Sequence, residues 1–223
     1  MKELELFGVN EVFETIQGEA TWTGTPAVFV RLQGCEVGCP WCDTKHTWAL
    51  NPALETSADR MLAKTGDSPS YARLSSLEIT NIVARFDAKH VVITGGEPCD
   101  YDLRDLVEDL RKARRTVQIE TSGTSQVLAG AAWVTVSPKI NMPGGRKVRA
   151  DAVERANEIK MPVGKESDVE ALKAFLALHP SVGGVVWLQP LSQSPKATKL
   201  CVEAATKNGW RLSLQTHKYL GVR

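Results

Sequence analysis

The chain has 223 residues, of which 43% are hydrophobic, and its 27 Lys and Arg nearly cancel its 26 Asp and Glu to leave a formal net charge of +1. That length is enough to bury a full core within one domain, so a single domain over residues 1–223 is expected. The charge balance argues against direct binding to a nucleic-acid backbone, and no apolar run reaches bilayer-spanning length.

Residues 27–32, Ala-Val-Phe-Val-Arg-Leu, read as a buried strand that runs straight into a cysteine-rich loop at 34–46. Residues 49–73 carry Pro52, Gly66, Pro69 and several Ser and Asp, and read as a variable insertion with a short helix at 58–64. From there strands and helices alternate. A helix over 76–86, opened by Ser75 or Ser76, precedes a strand over 90–94 that stops at Gly95-Gly96. A helix over 101–113 is followed by strands at 117–120, 133–136 and 157–163. A helix at 171–178, a strand at 184–188, a helix at 196–206 and a last strand at 211–214 complete the series. Alternation of this kind predicts right-handed βαβ units around a parallel sheet. About six parallel strands are too few for a closed eight-fold barrel, so the expected fold is α/β, a partial (β/α) barrel.

In such folds chemistry collects at the carboxyl ends of the strands. The polar residues there are the cysteine loop, Thr94-Gly95-Gly96-Glu97-Pro98, Glu120 to Thr124, Ser137-Pro138-Lys139, Gln189-Pro190 and Gln215-Thr216-His217. All are expected to face one mouth.

Cys35, Cys39 and Cys42 form C-x3-C-x2-C. Three thiolates can hold three corners of an iron–sulfur cube and leave one iron open to a ligand. The spacing also admits a zinc site with His46 as fourth ligand. A disulfide framework is the poorer reading, because five cysteines is an odd number and residues 1–6 lack the apolar core of a secretory signal. Reduced thiols fit a cytoplasmic protein. Cys99 and Cys201 read as buried thiols.

The cysteine triplet with Trp41 before its last member, followed by Gly95-Gly96-Glu97-Pro98 after a strand, resembles the radical S-adenosylmethionine superfamily. Glu14-Thr15-Ile16-Gln17-Gly18-Glu19, Cys42-Asp43-Thr44, Ser137-Pro138-Lys139 and Leu214-Gln215-Thr216-His217-Lys218 resemble, more narrowly, the 7-carboxy-7-deazaguanine synthase family. Ala20 departs from the glycine usual there. The resemblance implies a lyase of queuosine (7-deazapurine) biosynthesis. It would contract the ring of 6-carboxy-5,6,7,8-tetrahydropterin by radical chemistry, with loss of ammonia.

By that resemblance Cys35, Cys39 and Cys42 hold a [4Fe-4S] cluster. Trp41, Gly95, Gly96, Ser122, Ser137, Lys139 and Gln189 contact S-adenosylmethionine. Ile16, Gln17, Gly18, Glu19, Arg31, Thr94, Glu120, His217 and Arg223 contact the pterin, the last through the terminal carboxylate. Thr44 binds Mg²⁺. Arg31 can grip a carboxylate with two parallel bonds, or serve a structural ion pair. A flavodoxin or ferredoxin is the implied electron donor, and a homodimer the implied assembly.

Overall fold

The computed structural model describes residues 5–180 and 184–222. Nine strands make one sheet: β1 (Phe7–Ile16), β2 (Pro26–Leu32), β3 (Ala72–Leu74), β4 (His90–Gly95), β5 (Thr116–Thr121), β6 (Trp133–Val136), β7 (Glu158–Val163), β8 (Val185–Pro190) and β9 (Arg211–Leu212). Their order is β3-β1-β2-β4-β5-β6-β7-β8-β9, with β3 and β9 at opposite edges, so the barrel is open. From β2 through β4 to β9 every pairing is parallel, which makes seven parallel strands where about six were expected. β1 runs antiparallel to both β2 and β3.

The antiparallel pair escaped the sequence reading for a physical reason. The register of β1 shifts between Val9 and Glu11, a bulge that breaks the two-residue alternation on which strand recognition depends. β3 has only three residues and lies within the segment read as an insertion.

Helices α1 (Ala58–Leu62), α2 (Ser76–Val83), α3 (Arg104–Lys112), α4 (Ala150–Arg155), α5 (Glu166–Leu178), α6 (Pro195–Asn208) and α7 (Thr216–Leu220) accompany the sheet. α2 starts with a capping box: Ser75 Oγ accepts from the Glu78 amide at 3.3 Å, and Glu78 Oε2 accepts from the Ser75 amide at 2.8 Å. α3 buries Leu106, Val107 and Leu110 against a core shared with Val91 and Ile93 of β4 and Ile119 of β5. Among the described residues no helix is long and apolar enough to cross a membrane.

The other face of the sheet is polar at its centre. Gln118, Thr135 and Glu158 are fully buried, yet each is bonded. Gln118 Nε2 donates to Thr135 Oγ1 at 3.0 Å, and Glu158 accepts from Thr135, Thr21 and the Trp187 indole at 2.5–2.9 Å. Such satisfaction is what makes a buried polar layer tolerable.

The joint between β2 and β4 sets the position of everything above it. Gly96 N donates to Leu32 O at 2.9 Å, and Glu97 N to Gly34 O at 2.7 Å. A Cβ on Gly96 would lie 2.0 Å from Gly34 O, and one on Gly95, where φ is +117°, 2.3 Å from Leu32 N. The close approach these glycines permit is therefore to the chain's own backbone. Gly96→Ala is expected to cost more than about 2 kcal/mol of stability in urea unfolding; a loss within ~0.5 kcal/mol would contradict this account of the joint.

Candidate functional site

A cavity of about 400 Å³ opens at the carboxyl ends of the parallel strands. One wall is the cysteine loop. Its two ends are clamped together: Gly34 N donates to Thr47 O at 2.7 Å, and Cys35 N to Trp48 O at 3.1 Å. Buried Gln33 fixes the return, donating to His46 O and Ala49 O at 3.2 and 2.7 Å while accepting from Asn10. The loop is backed by residues 141–145, where Gly144 N donates to Val37 O at 3.2 Å.

Cys35, Cys39 and Cys42 all line the cavity as free thiols. Burial pushes Cys35 up to about 11, with Glu97 and the neighbouring thiols adding to the rise. Burial also pushes Cys39 up, against the opposing pull of Lys139. Thiolates at Cys35 and Cys39 therefore need compensating positive charge, which a bound metal would supply. His46, the alternative zinc ligand, does not line the cavity, and its Nδ1 lies 3.8 Å from Asp67 Oδ2. An all-cysteine set without a fourth protein ligand fits a cube with one iron open.

Two contacts reach the Cys42 sulfur. The Trp48 indole N–H donates to it at 3.4 Å, and Thr44 Oγ1 lies 3.6 Å away. Trp48 thus holds Cys35 through its carbonyl and Cys42 through its ring. Sequence reasoning missed Gln33 and Trp48, because both roles depend on how the loop closes.

The second wall carries the residues assigned to the cofactor. Trp41 is 41% exposed, at the mouth and outside the core. Gly95, Gly96, Ser122, Ser137, Lys139 and Gln189 line the cavity with it. Buried Glu97 links this wall together, accepting from Thr121 Oγ1 at 2.5 Å, from the Ser122 amide at 2.8 Å and from the Ser122 hydroxyl. Lys139 Nζ donates to Ser137 Oγ at 2.5 Å, and burial lowers its pKa. Gln189 accepts from Ser213 at 3.1 Å.

The third wall brings together Ile16, Gln17, Glu19, Arg31, Thr94, Glu120 and His217. Gly18 is an exception. It is not among the cavity-lining residues; a Cβ there would lie 2.3 Å from His217 Nδ1, so its lack of a side chain lets α7 dock. His217 itself sits in α7 and not at a strand end, since β9 stops at Leu212; a five-residue helix is too short to leave a periodic signal. Ala20 takes the left-handed conformation, φ 54°, which favours glycine. Arg31 Nε donates to Glu11 Oε1 at 2.6 Å and the guanidinium lies 5.8 Å over Phe13, so the structural ion pair is present and the group still lines the cavity. Arg223 lies outside the described residues.

Lys160 of β7, also missed, bridges this wall. Its Nζ donates to Glu19 Oε2 at 2.5 Å and Glu120 Oε2 at 2.6 Å. Burial works to raise the Glu19 carboxyl, but Lys160 and the Gln215 amide overcome it and hold it at about 2. Burial, with the Glu19 charge added, keeps Glu120 raised to about 6 despite Lys160. Burial lowers the His217 pKa. A lysine between Ile159 and Met161 in an apolar strand was a readable sign, because buried lysines are rare unless paired.

An open, mostly parallel sheet with a three-cysteine loop over its strand ends defines a class, and residues 29–176 match the Radical SAM superfamily. The chain is 51% identical to 7-carboxy-7-deazaguanine synthase of Escherichia coli (strain K12) over 97% of its own length and 99% of that protein's. It is 41% identical to the protein of the same name from Buchnera aphidicola, over 97% and 99%. A crystal structure of QueE from Escherichia coli superposes with a TM-score of 0.90 at 50% identity, covering 94% of each chain. This chain belongs to the 7-carboxy-7-deazaguanine synthase family of the Radical SAM superfamily.

Hydrogen bonds to cluster sulfurs stabilise the more negative, reduced state. Trp48→Phe, which keeps the ring and removes the donor, is expected to move the midpoint potential of the reconstituted cluster to a more negative value in an EPR-monitored titration; an unchanged potential would show that the Trp48–Cys42 bond does not persist around the cluster.

Proposed function

We propose that this chain converts 6-carboxy-5,6,7,8-tetrahydropterin to 7-carboxy-7-deazaguanine and ammonia, as a carbon–nitrogen lyase feeding queuosine synthesis in the cytoplasm. The observation that carries the reading is that one cavity joins a three-cysteine wall to a wall of Arg31, Glu19, Glu120 and His217. The overall change is redox-neutral: one ammonia leaves and nothing else is gained or lost. A radical initiator that regains its hydrogen suits such a reaction, since no net oxidant is required.

Cys35, Cys39 and Cys42 would hold the [4Fe-4S] cluster. When bound, the cluster and S-adenosylmethionine supply a 5′-deoxyadenosyl radical by reductive cleavage of the C5′–S bond. The protein's own contribution is placement. Trp41 offers a ring face for adenine. The strand-end backbone at Gly95-Gly96, with Ser122, Ser137, Lys139 and Gln189, supplies polar groups for ribose and carboxylate. On the facing wall, Arg31 retains guanidinium donors beyond the Nε given to Glu11, suited to the pterin carboxylate. Glu120 and Glu19 present acceptor oxygens to the N–H groups of the pyrimidine edge, flanked by Ile16, Gln17, Thr94 and His217. Thr44, beside Cys42, offers a hydroxyl to Mg²⁺, a hard ion that takes few protein ligands. One domain carries the whole reaction, a flavodoxin or ferredoxin provides the electron, and the working assembly is a homodimer.

The direct test supplies anaerobically reconstituted protein with reductant, S-adenosylmethionine, Mg²⁺ and 6-carboxytetrahydropterin and follows products by mass spectrometry. A product lighter than substrate by one ammonia is expected; 5′-deoxyadenosine without that product would discard the substrate assignment. Arg31→Gln is expected to raise KM by roughly tenfold or more, as loss of a charge-assisted bond predicts, with a smaller change in kcat.

A further inference from the structure

Lys160 is a buried charge that the roles above leave unused. Its side chain is 6% exposed, and the two carboxylates it joins come from distant parts of the chain, Glu19 after β1 and Glu120 at the end of β5. Each carboxylate has one oxygen on Lys160 and the other on an amide: Glu19 Oε1 accepts from Gln215 Nε2 at 2.9 Å, and Glu120 Oε1 from Gln118 Nε2 at 3.0 Å. Both carboxylates are thereby fixed in orientation; Glu120 Oε1 also accepts from Gln17 Nε2 at 3.5 Å, and the other three oxygens each keep a further acceptor site.

We propose that Lys160 is a positioning residue that keeps Glu19 and Glu120 ionised and correctly oriented, so that the cavity offers only acceptors to the N–H edge of the substrate. The proposal rests on the pterin reading above. Two carboxylates with one ammonium carry a net charge of −1, which both can sustain. Two carboxylates this close without the ammonium share a proton, because like charges raise one of the two. The protonated oxygen is then a donor facing a donor, and the substrate edge is opposed where it was bound. Lys139 and His217 also act electrostatically on this group, and Glu158 lies two residues before Lys160 on β7. Glu158, a third carboxylate, adds like charge and is itself taken up by Thr21, Thr135 and Trp187, while Lys139 donates to Ser137 and makes no hydrogen bond to Glu19 or Glu120.

The sign of the pH effect follows. Loss of Lys160 raises the carboxylate that is hardest to ionise, so the binding-competent form is reached only at higher pH. Lys160→Gln and Lys160→Arg, as cluster-loaded full-length enzymes, are compared with the parent for kcat and KM toward 6-carboxytetrahydropterin across pH 5.5–9. Substrate-free protein carrying ¹³C-labelled glutamate carboxyls is titrated by NMR in parallel. Lys160→Gln is expected to raise KM at neutral pH by roughly tenfold or more with a smaller effect on kcat. The acid limb of its kcat/KM profile should move upward by about one pH unit or more, with one buried glutamate moving in the same direction by NMR. Lys160→Arg should recover most of the KM and the position of the limb. A pH-independent loss, or an arginine variant no better than glutamine, would reduce Lys160 to a structural residue and overturn the proposal. If the parent enzyme makes no product, the pterin reading falls, and the NMR titration alone decides: an upward shift in Lys160→Gln and not in Lys160→Arg supports the role, and unchanged titration removes it.

Discussion

The contact between the ends of β2 and β4 fixes the geometry of the entire site. Two backbone hydrogen bonds, from Gly96 to Leu32 and from Glu97 to Gly34, join the exit of β4 to the root of the cysteine loop. No side chain fits between them at Gly96. Because the loop root is held there, the thiols hang over the carboxyl ends of the parallel strands and not over a sheet edge. Glu97 extends the same connection sideways to Thr121 and Ser122, so the ends of β4 and β5 are tied together. A short, side-chain-free joint thus places the three-cysteine wall beside the other two walls of the cavity.

Charge is the second constraint. The cavity combines thiols whose ionisation burial resists with a pair of carboxylates divided by a single lysine. Buried charges are tolerable only when paired and bonded. On the cysteine side a bound cluster would supply the compensation; on the opposite side it is internal, through Lys160. The polar layer beneath, running through Gln118, Thr135 and Glu158, anchors that lysine–carboxylate group to the interior of the sheet. Function here depends on polar groups that the fold has oriented in advance, at some expense in apolar core.

Much of this was legible because it rests on local pattern. Parallel strands buried on both faces leave continuous apolar runs, and 90–94 or 133–136 could hardly be read otherwise. Cysteine spacing is equally local. What escaped was non-local. β1 hides its alternation behind a bulge, and β3 is a strand only because β1 lies beside it. Gly18, read as a substrate contact, also leaves the space into which His217 packs, which its position in the sequence does not reveal. Lys160 showed itself only as a charge out of place in an apolar strand; its partners lie 141 and 40 residues away. Trp48 donates to a sulfur because of the way its loop closes, which no spacing rule encodes.

The central claim is that the cluster wall and the Glu–Lys–Glu wall serve one reaction in one cavity. The most direct measurement uses 6-carboxytetrahydropterin deuterated at C6, turned over by the reconstituted enzyme, with S-adenosylmethionine recovered and weighed by mass spectrometry. The account predicts that if C6 is the position that gives up the hydrogen and the initiator later regains one, deuterium accumulates in recovered S-adenosylmethionine, because it must pass through the cofactor's 5′ carbon. Product formed while the cofactor stays free of deuterium would contradict it, and would mean that the two walls do not meet around the same substrate atom.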